Sequence, residues 1–313
     1  MSKVHPVAAA SHFSGRDLLA ALAVVVIWGL NFVAMKWALL DFTPFQLGVW
    51  RYVFAALPLV LIVRRPQLPW RWIVAYGLCQ GVGQFGVLFI ALQVGMTAAL
   101  ASVLMQTQVF FTALLGVLLL GEHLSRPLKW GLVWAAMGLG CFAMNYLGGA
   151  AAAGTTFLGF VLNLVSAAMW SASNIVARRA QQVAGNYDAL GFVVWSGVVP
   201  IVPFALLSLC FDPPALRWQW LNAPLASWLA VAYLGWCATI TAYALWTGLL
   251  KRHPASRVAP FSLGVPVIGL VAGMGMLGEQ VTPWQWAGGA CIVMALVVVM
   301  FGARWQARLA SGR

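Results

Sequence analysis

GEHLSRPLKW at residues 121–130 and GEQVTPWQWA at 278–287 are two copies of one corner, and they carry opposite charge. At an offset of 157, Gly121 and Glu122 fall on Gly278 and Glu279, and Gly131 falls on Gly288. The first copy holds Arg126 and Lys129, where the second has Pro283 and Trp286 and no cation. Basic residues mark the cytoplasmic side of a membrane protein. One corner therefore reads as cytoplasmic and its copy as external, which is the signature of an inverted-topology repeat and a device of transporters.

Composition agrees with a membrane. Hydrophobic residues are 63% of the 313 and charged residues 8%, against roughly 45–50% and 25% in soluble domains. A chain of this length supplies about ten spans of about 20 residues. The net charge of +12 suits short cytoplasmic loops facing anionic lipid. Such a charge also suggests nucleic acid, but loops this short leave no domain to carry a basic binding face. Cys79, Cys141, Cys210, Cys237 and Cys291 form no CxxC, and four of them lie in apolar runs as small hydrophobes, so neither a disulfide framework nor a metal site is expected. The arm with Lys3, His5, His12 and Arg16 leads into an apolar run that continues past Trp28 without a small-residue cleavage site, and reads as leading into an uncleaved first span.

Apolar segments predict helices at about 17–40, 44–63, 72–94, 98–120, 130–148, 156–177, 189–210, 226–250, 258–277 and 286–303. Proline and glycine punctuate the gaps, as at Pro44, Pro66, Pro127, the run 148–156, Pro213, Pro254 and Pro283. With a cytoplasmic amino terminus, Arg64, Arg65, Arg71, Arg126, Lys129, Arg178, Arg179, Lys251, Arg252, Arg257, Arg304, Arg308 and Arg313 all fall inside. Together with Lys3 and Arg16 they make 15 of the 18 cations. Lys36, Arg51 and Arg217 remain toward the outside. That asymmetry predicts an even number of spans with both termini inside. Ten spans then divide into residues 17–148 and 156–303, with cytoplasmic tails at 1–16 and 304–313. Five spans per half force the second half to insert upside down.

The repeat extends beyond its corner. Trp28 and Asn31 align with Trp170 and Ser173, Lys36 with Arg178, Trp50 and Pro58 with Trp195 and Pro203, and Tyr76 with Tyr233. TAALAS at 97–102 aligns with PASRVA at 254–259. The WGLNF opening of span 1, ASVL in span 4, the LLGE corner after it, and YALW, PASRVAP and LGE in the second half together resemble the EamA family of the drug/metabolite transporter superfamily. The resemblance covers residues 17–303. Span 1 and the general layout are most similar to exporters of amino acids and their metabolites.

Polar side chains in hydrocarbon are costly and face the bundle interior or a water-filled cavity. Asn163, Ser166, Trp170, Ser173 and Asn174 of span 6 form one helical stripe. Trp28 and Asn31 hold the matching positions of span 1. Gln80 with Gln84, Ser102 with Gln106, and Trp236, Thr239, Tyr243 and Trp246 share faces of spans 3, 4 and 8. These fifteen residues are the candidate solute contacts. The plainer alternative for each is interhelical glue, worth about 0.6 kcal/mol. Trp70, Trp72, Trp130, Trp218, Trp220, Trp284 and Trp286 read as an interfacial belt. Pro260 and Pro266 in span 9 read as a hinge or a packing kink. The glycine clusters Gly81, Gly83, Gly86 and Gly269, Gly273, Gly275 read as close helix packing.

All six acids, Asp17, Asp41, Glu122, Asp188, Asp212 and Glu279, fall at helix ends or in loops. No midplane carboxylate is available for a proton relay or a lipophilic cation, so a neutral or zwitterionic solute is expected. Arg51 lies about two turns into span 2 and is expected to pair with Asp41 or snorkel outward, the alternative being a partner for a substrate carboxylate. The four histidines lie in the arm or loops, so no Ser-His or Cys-His arrangement supports an enzyme. The expectation is an all-α, ten-span inner-membrane exporter of a small amino-acid-like metabolite, able to work as a monomer in membrane lipid without cofactor or metal. The resemblance implies a central cavity formed by spans 3, 4, 8 and 9 with 1 and 6. An importer or exchanger of another small metabolite or drug, and a passive channel, are the competing readings.

Overall fold

The computed structural model describes residues 14–121, 123–147, 154–184, 187–253 and 255–311. Lys3, His5, His12, Glu122, residues 148–153, Pro254 and Arg313 lie outside the described residues. Among those described, nine helices are long and apolar enough to cross a bilayer: Gly15–Ala38 (α1), Trp70–Gln93 (α3), Ala98–Leu119 (α4), Arg126–Tyr146 (α5), Phe157–Ala184 (α6), Ala189–Phe211 (α7), Leu225–Leu250 (α8), Ala259–Leu277 (α9) and Pro283–Gly302 (α10). A 17-residue helix, Pro44–Val60 (α2), lies between α1 and α3. No strand occurs among the described residues. The protein is a multi-pass membrane protein. Its outer surface is apolar: Leu18, Leu22 and Val26 form an exposed stripe on α1, and Leu61 and Leu118 are more exposed still. In water such a surface would aggregate; against lipid tails it is at home.

Local chemistry explains where the helices begin. Ser14 and Thr43 form capping boxes with Asp17 and Gln46, and Asp188 accepts from the Leu190 and Gly191 amides. Each satisfies amides that the first helical turn leaves unpaired. α6 runs seven residues past its expected end, because Arg178 and Arg179 ended the apolar run without ending the helix. The last helix likewise continues to Ser311.

α4 and α9 both stop at a glycine in the left-handed region, Gly121 at φ 67° and Gly278 at φ 65°, a conformation that costs other residues about 1–2 kcal/mol. A Cβ at Gly278 would meet nothing within 4 Å, so strain is its whole cost. Gly278→Ala should therefore lower the unfolding free energy by about 1–2 kcal/mol, read as an earlier thermal transition in detergent. An unchanged transition would show that the turn relaxes.

Two further features recur between the halves. Wide π-helical turns interrupt α3 at Leu78–Gly86 and α8 at Tyr233–Thr241, 155 residues apart at both ends. This register makes Leu78, not Tyr76, the counterpart of Tyr233. The helix contacts also repeat. α1 packs on α8 and α9, and α6 packs on α3 and α4; α2 packs on α8, and α7 on α3. α2 meets α7, α4 meets α9 and α5 meets α10. Advancing each helix number by five reproduces this set.

Trp70, Trp130, Trp218, Trp284 and Trp286 are exposed at helix ends, as a belt requires. Trp220 is not part of it: its ring lies 4.9 Å from Trp50 and 6.4 Å from Trp228. Trp72 also turns inward, against the buried cluster of Leu68, Ile73, Ala180 and Phe192. Position near a helix end sets depth but not facing.

Candidate functional site

A cavity of about 230 Å³ lies between α2, α3, α7 and α8, lined by residues of all four. Spans 2 and 7 were absent from the expected set; spans 1, 4, 6 and 9 do not line it. The two π turns shape it, since Gln80, Gly81 and Phe85 come from one and Thr239 and Ile240 from the other. A π turn alters which side chains a helix presents over one turn, and such turns recur at functional sites.

Arg51 forms the deep end and is 2% exposed. Neither expectation for it holds. Asp41 accepts instead from the Ser227 hydroxyl at 2.5 Å, and burial against α3 and α8 leaves Arg51 no route outward. Its Nη1 donates to Asn31 Oδ1 at 3.3 Å and its Nη2 to Thr239 Oγ1 at 3.4 Å, both long. The guanidinium carbon sits 3.8 Å from the Phe85 ring centroid. Nε is buried without a partner, and among the described residues no carboxylate pairs with this cation. A buried charge is ordinarily paired, because leaving water costs several kcal/mol. Ser196 Oγ, on the α7 wall, is likewise buried and unpartnered. The remaining wall is mainly aromatic and aliphatic, including Tyr52, Tyr76, Tyr243, Ala55, Val193 and Ala244.

The candidate contacts distribute unevenly about this cavity. Gln80, Thr239 and Tyr243 line it. Asn31 stands behind Arg51 as its acceptor. Trp28 donates to the Ala238 carbonyl at 3.0 Å and packs 5.4 Å from both Tyr243 and Trp246, backing the wall. Ser173 donates to Gln80 Oε1 at 2.5 Å and so fixes that amide. Ser166 donates to the Gln84 carbonyl at 2.7 Å. Asn174 reaches Gln108 and Thr112 at 3.0 and 3.3 Å in a separate recess. Ser102 donates to the Ala99 carbonyl at 2.7 Å and toward that of Pro266 at 3.4 Å, an α4–α9 contact. Pro260 sits in a 3-10 turn, Ala259–Leu263, that opens α9. Asn163 is fully buried with both amide atoms unpartnered, as is Gln84 Oε1, away from the cavity wall. Trp170 packs against the main core. Gln106 is half-buried in the 3-10 turn Met105–Thr107. Trp236 is 49% exposed beside Phe54. Among the wall residues that sequence reasoning did not name as solute contacts, Tyr52, Phe85 and Ser196 read there as ordinary apolar-run members and Tyr76 only as a landmark of the repeat. The available signal was Arg51, since an ionisable residue inside a span is a functional candidate by default.

The two ends of the cavity differ. From Arg51 it extends to Leu59, Leu190 and Gly248, near the helix ends that carry Arg64, Arg65 and Arg252; eight residues of α2 span roughly 12 Å. The opposite ends are tied together. Asp212 at the end of α7 accepts from Thr43 at 2.7 Å and Ser208 at 2.6 Å, joining α7 to the start of α2. Glu279 accepts from the Ala98 and Ala99 amides, each at 2.7 Å, joining the end of α9 to the start of α4. Trp50, Trp220 and Trp228 fill the space beside α2. On the arginine side, Asp17 joins α1 to the end of α8 through Arg252 and His253, both at 3.0 Å. The five described carboxylates thus all serve at helix ends, and none lines the cavity.

An apolar helical exterior around a cavity with a buried cation is an architecture that a membrane transporter can use. The chain belongs to the EamA-like transporter family, whose sequence model matches residues 16–144 and 157–301. It is 36% identical over 300 residues to a probable amino-acid metabolite efflux pump of Escherichia coli strain K12, covering 96% of this chain and 99% of that one. A protein of the same description from Salmonella typhimurium strain LT2 is 37% identical over 292 residues, covering 93% and 97%. A solved crystal structure with 21% identity superposes at a TM-score of 0.61, covering 93% of this chain and 98% of the other; it shares the fold.

Proposed function

We propose that this protein exports a small amino-acid-like metabolite across the cell inner membrane by alternating access. It does so as ten spans in two inverted five-helix halves with both termini in the cytoplasm. The observation that carries the reading is the cavity itself, with an unpaired arginine at its deep end, access toward the arginine-rich helix ends and ties across the opposite ends. Under the positive-inside rule this is a cytoplasm-facing state in which an exporter loads. The volume lies just below the usual 300–1,000 Å³ of ligand pockets and suits a small solute. Contacts that recur when helix numbers advance by five, and the paired π turns, support two related halves; an odd number of spans per half inverts one of them. The relatives described as amino-acid metabolite efflux pumps support the solute class.

With no carboxylate among the described residues of the cavity wall, no side chain there can carry a proton across near neutral pH, so the solute's own gradient drives export. In proteoliposomes loaded with candidate metabolites, dissipating an imposed pH gradient should leave the initial export rate nearly unchanged. Strict dependence on that gradient would overturn this coupling. Orientation has its own test: cysteines at Arg252 and Gln280 should label from opposite sides of intact cells with an impermeant reagent. Labelling of both from one side would end the inverted arrangement.

A further inference from the structure

Among the described residues, Arg51 is the one charged residue on the cavity wall. That charge sets a balance that a solute must complete. A carboxylate brought to Arg51 gives a neutral buried pair with bidentate geometry available to the guanidinium. A solute that also carries an ammonium brings a second cation into the same space, and no wall residue offers it a carboxylate. The other polar surfaces of the wall are neutral: the Tyr52, Tyr76 and Tyr243 rings, the Gln80 amide and the Ser196, Thr239 and Thr247 hydroxyls, and aromatic faces attract a cation only weakly. Phe85, the ring closest to the charge, is already occupied by Arg51. The unpartnered Ser196 hydroxyl and the tyrosine hydroxyls suit a hydroxyl, oxo or amide group on the solute instead.

We infer that the cavity selects monocarboxylates whose amino group is absent or masked, such as 2-hydroxy acids and N-acylated amino acids, ahead of zwitterionic amino acids. This rests on the proposed function and names its solute class more narrowly. The enzymes that supply such a solute would be those that acylate the amino group of an amino acid, or that remove it to leave a 2-oxo acid and reduce the oxo group to a hydroxyl, and export would remove their anionic products.

Binding to the purified protein tests the selection with a charge series on one skeleton: L-lactate, N-acetyl-L-alanine, L-alanine and L-alaninamide. Lactate has nearly the size and shape of alanine, so the pair isolates the ammonium. The two monoanions should bind about tenfold or more tighter than alanine, and alaninamide should not bind measurably. Arg51→Gln should remove the difference between lactate and alanine, while Arg51→Lys should retain part of it. The wild-type ratio stands alone if a variant does not fold. Alanine binding as tightly as lactate would overturn the selection and leave the transporter reading intact. Binding of alaninamide alone, or of no compound in the series together with absent transport, would overturn both.

Discussion

Arg51→Met should abolish transport and leave the protein as stable as before, or more so. Truncating one partner of a buried, hydrogen-bonded charge pair costs about 2–5 kcal/mol of binding, or roughly 30-fold to more than 1,000-fold in affinity. Stability moves the other way. Arg51 is buried with its Nε unpartnered and no carboxylate beside it among the described residues, so the folded protein carries the desolvation of a cation without the attraction that normally offsets it. The compensations are two long hydrogen bonds, to Asn31 and Thr239, and the Phe85 ring face. Methionine fills similar space without charge and adapts to an aromatic neighbour. Initial transport rates in proteoliposomes beside thermal transitions in detergent separate the two quantities. A variant that transports normally, or one that loses transport only in proportion to lost folded protein, would place Arg51 outside the solute site.

Glu279→Ala should produce the largest loss of stability among single substitutions at the helix ends. Its carboxylate accepts from both Ala98 and Ala99 at 2.7 Å, two fully buried residues at the start of α4, where the unpaired amides and helix dipole favour negative charge. Hydrogen bonds to charged groups contribute about 1.5–3 kcal/mol each, and the buried amides left behind carry a further penalty. A loss of about 3–5 kcal/mol follows. Glu279→Gln keeps one acceptor and turns an NH₂ toward the other amide, so it should fall between. The contact also ties α9 to α4 on the side opposite the cavity mouth, so the alanine variant should raise external accessibility of a cysteine at Thr97. Unchanged melting and accessibility would mean that neighbouring groups take over the amides.

Much of this fold was legible as apolar runs, because lipid demands long uninterrupted ones. The caps at Ser14, Thr43 and Asp188 went unread, since they stand just outside the apolar runs. The π turns were not. They arise from a hydrogen-bond register that composition does not encode, and they shifted the alignment of Tyr76 and Tyr233 by two residues. Periodicity identified the polar face of α6 but not what stands opposite it. Ser166 and Ser173 meet side chains and carbonyls of α3, and Asn174 meets α4, so the same pattern serves interhelical hydrogen bonds beside a cavity lined by other helices. Arg51 misled through depth: two turns from a helix end is within snorkelling reach only on a lipid-facing side, and it faces inward.

Accessibility of a single cysteine at Thr247, on the cavity wall toward the arginine-rich ends, reports which side of the membrane the cavity faces and whether solute enters it. In a cysteine-free background, the thiol should react with an impermeant reagent applied from the cytoplasmic side, and N-acetyl-L-alanine should protect it. The protection should vanish in Arg51→Met. Reaction that N-acetyl-L-alanine and L-alanine both leave unchanged, or reaction only from the external side, would contradict a cytoplasm-facing solute site built around Arg51.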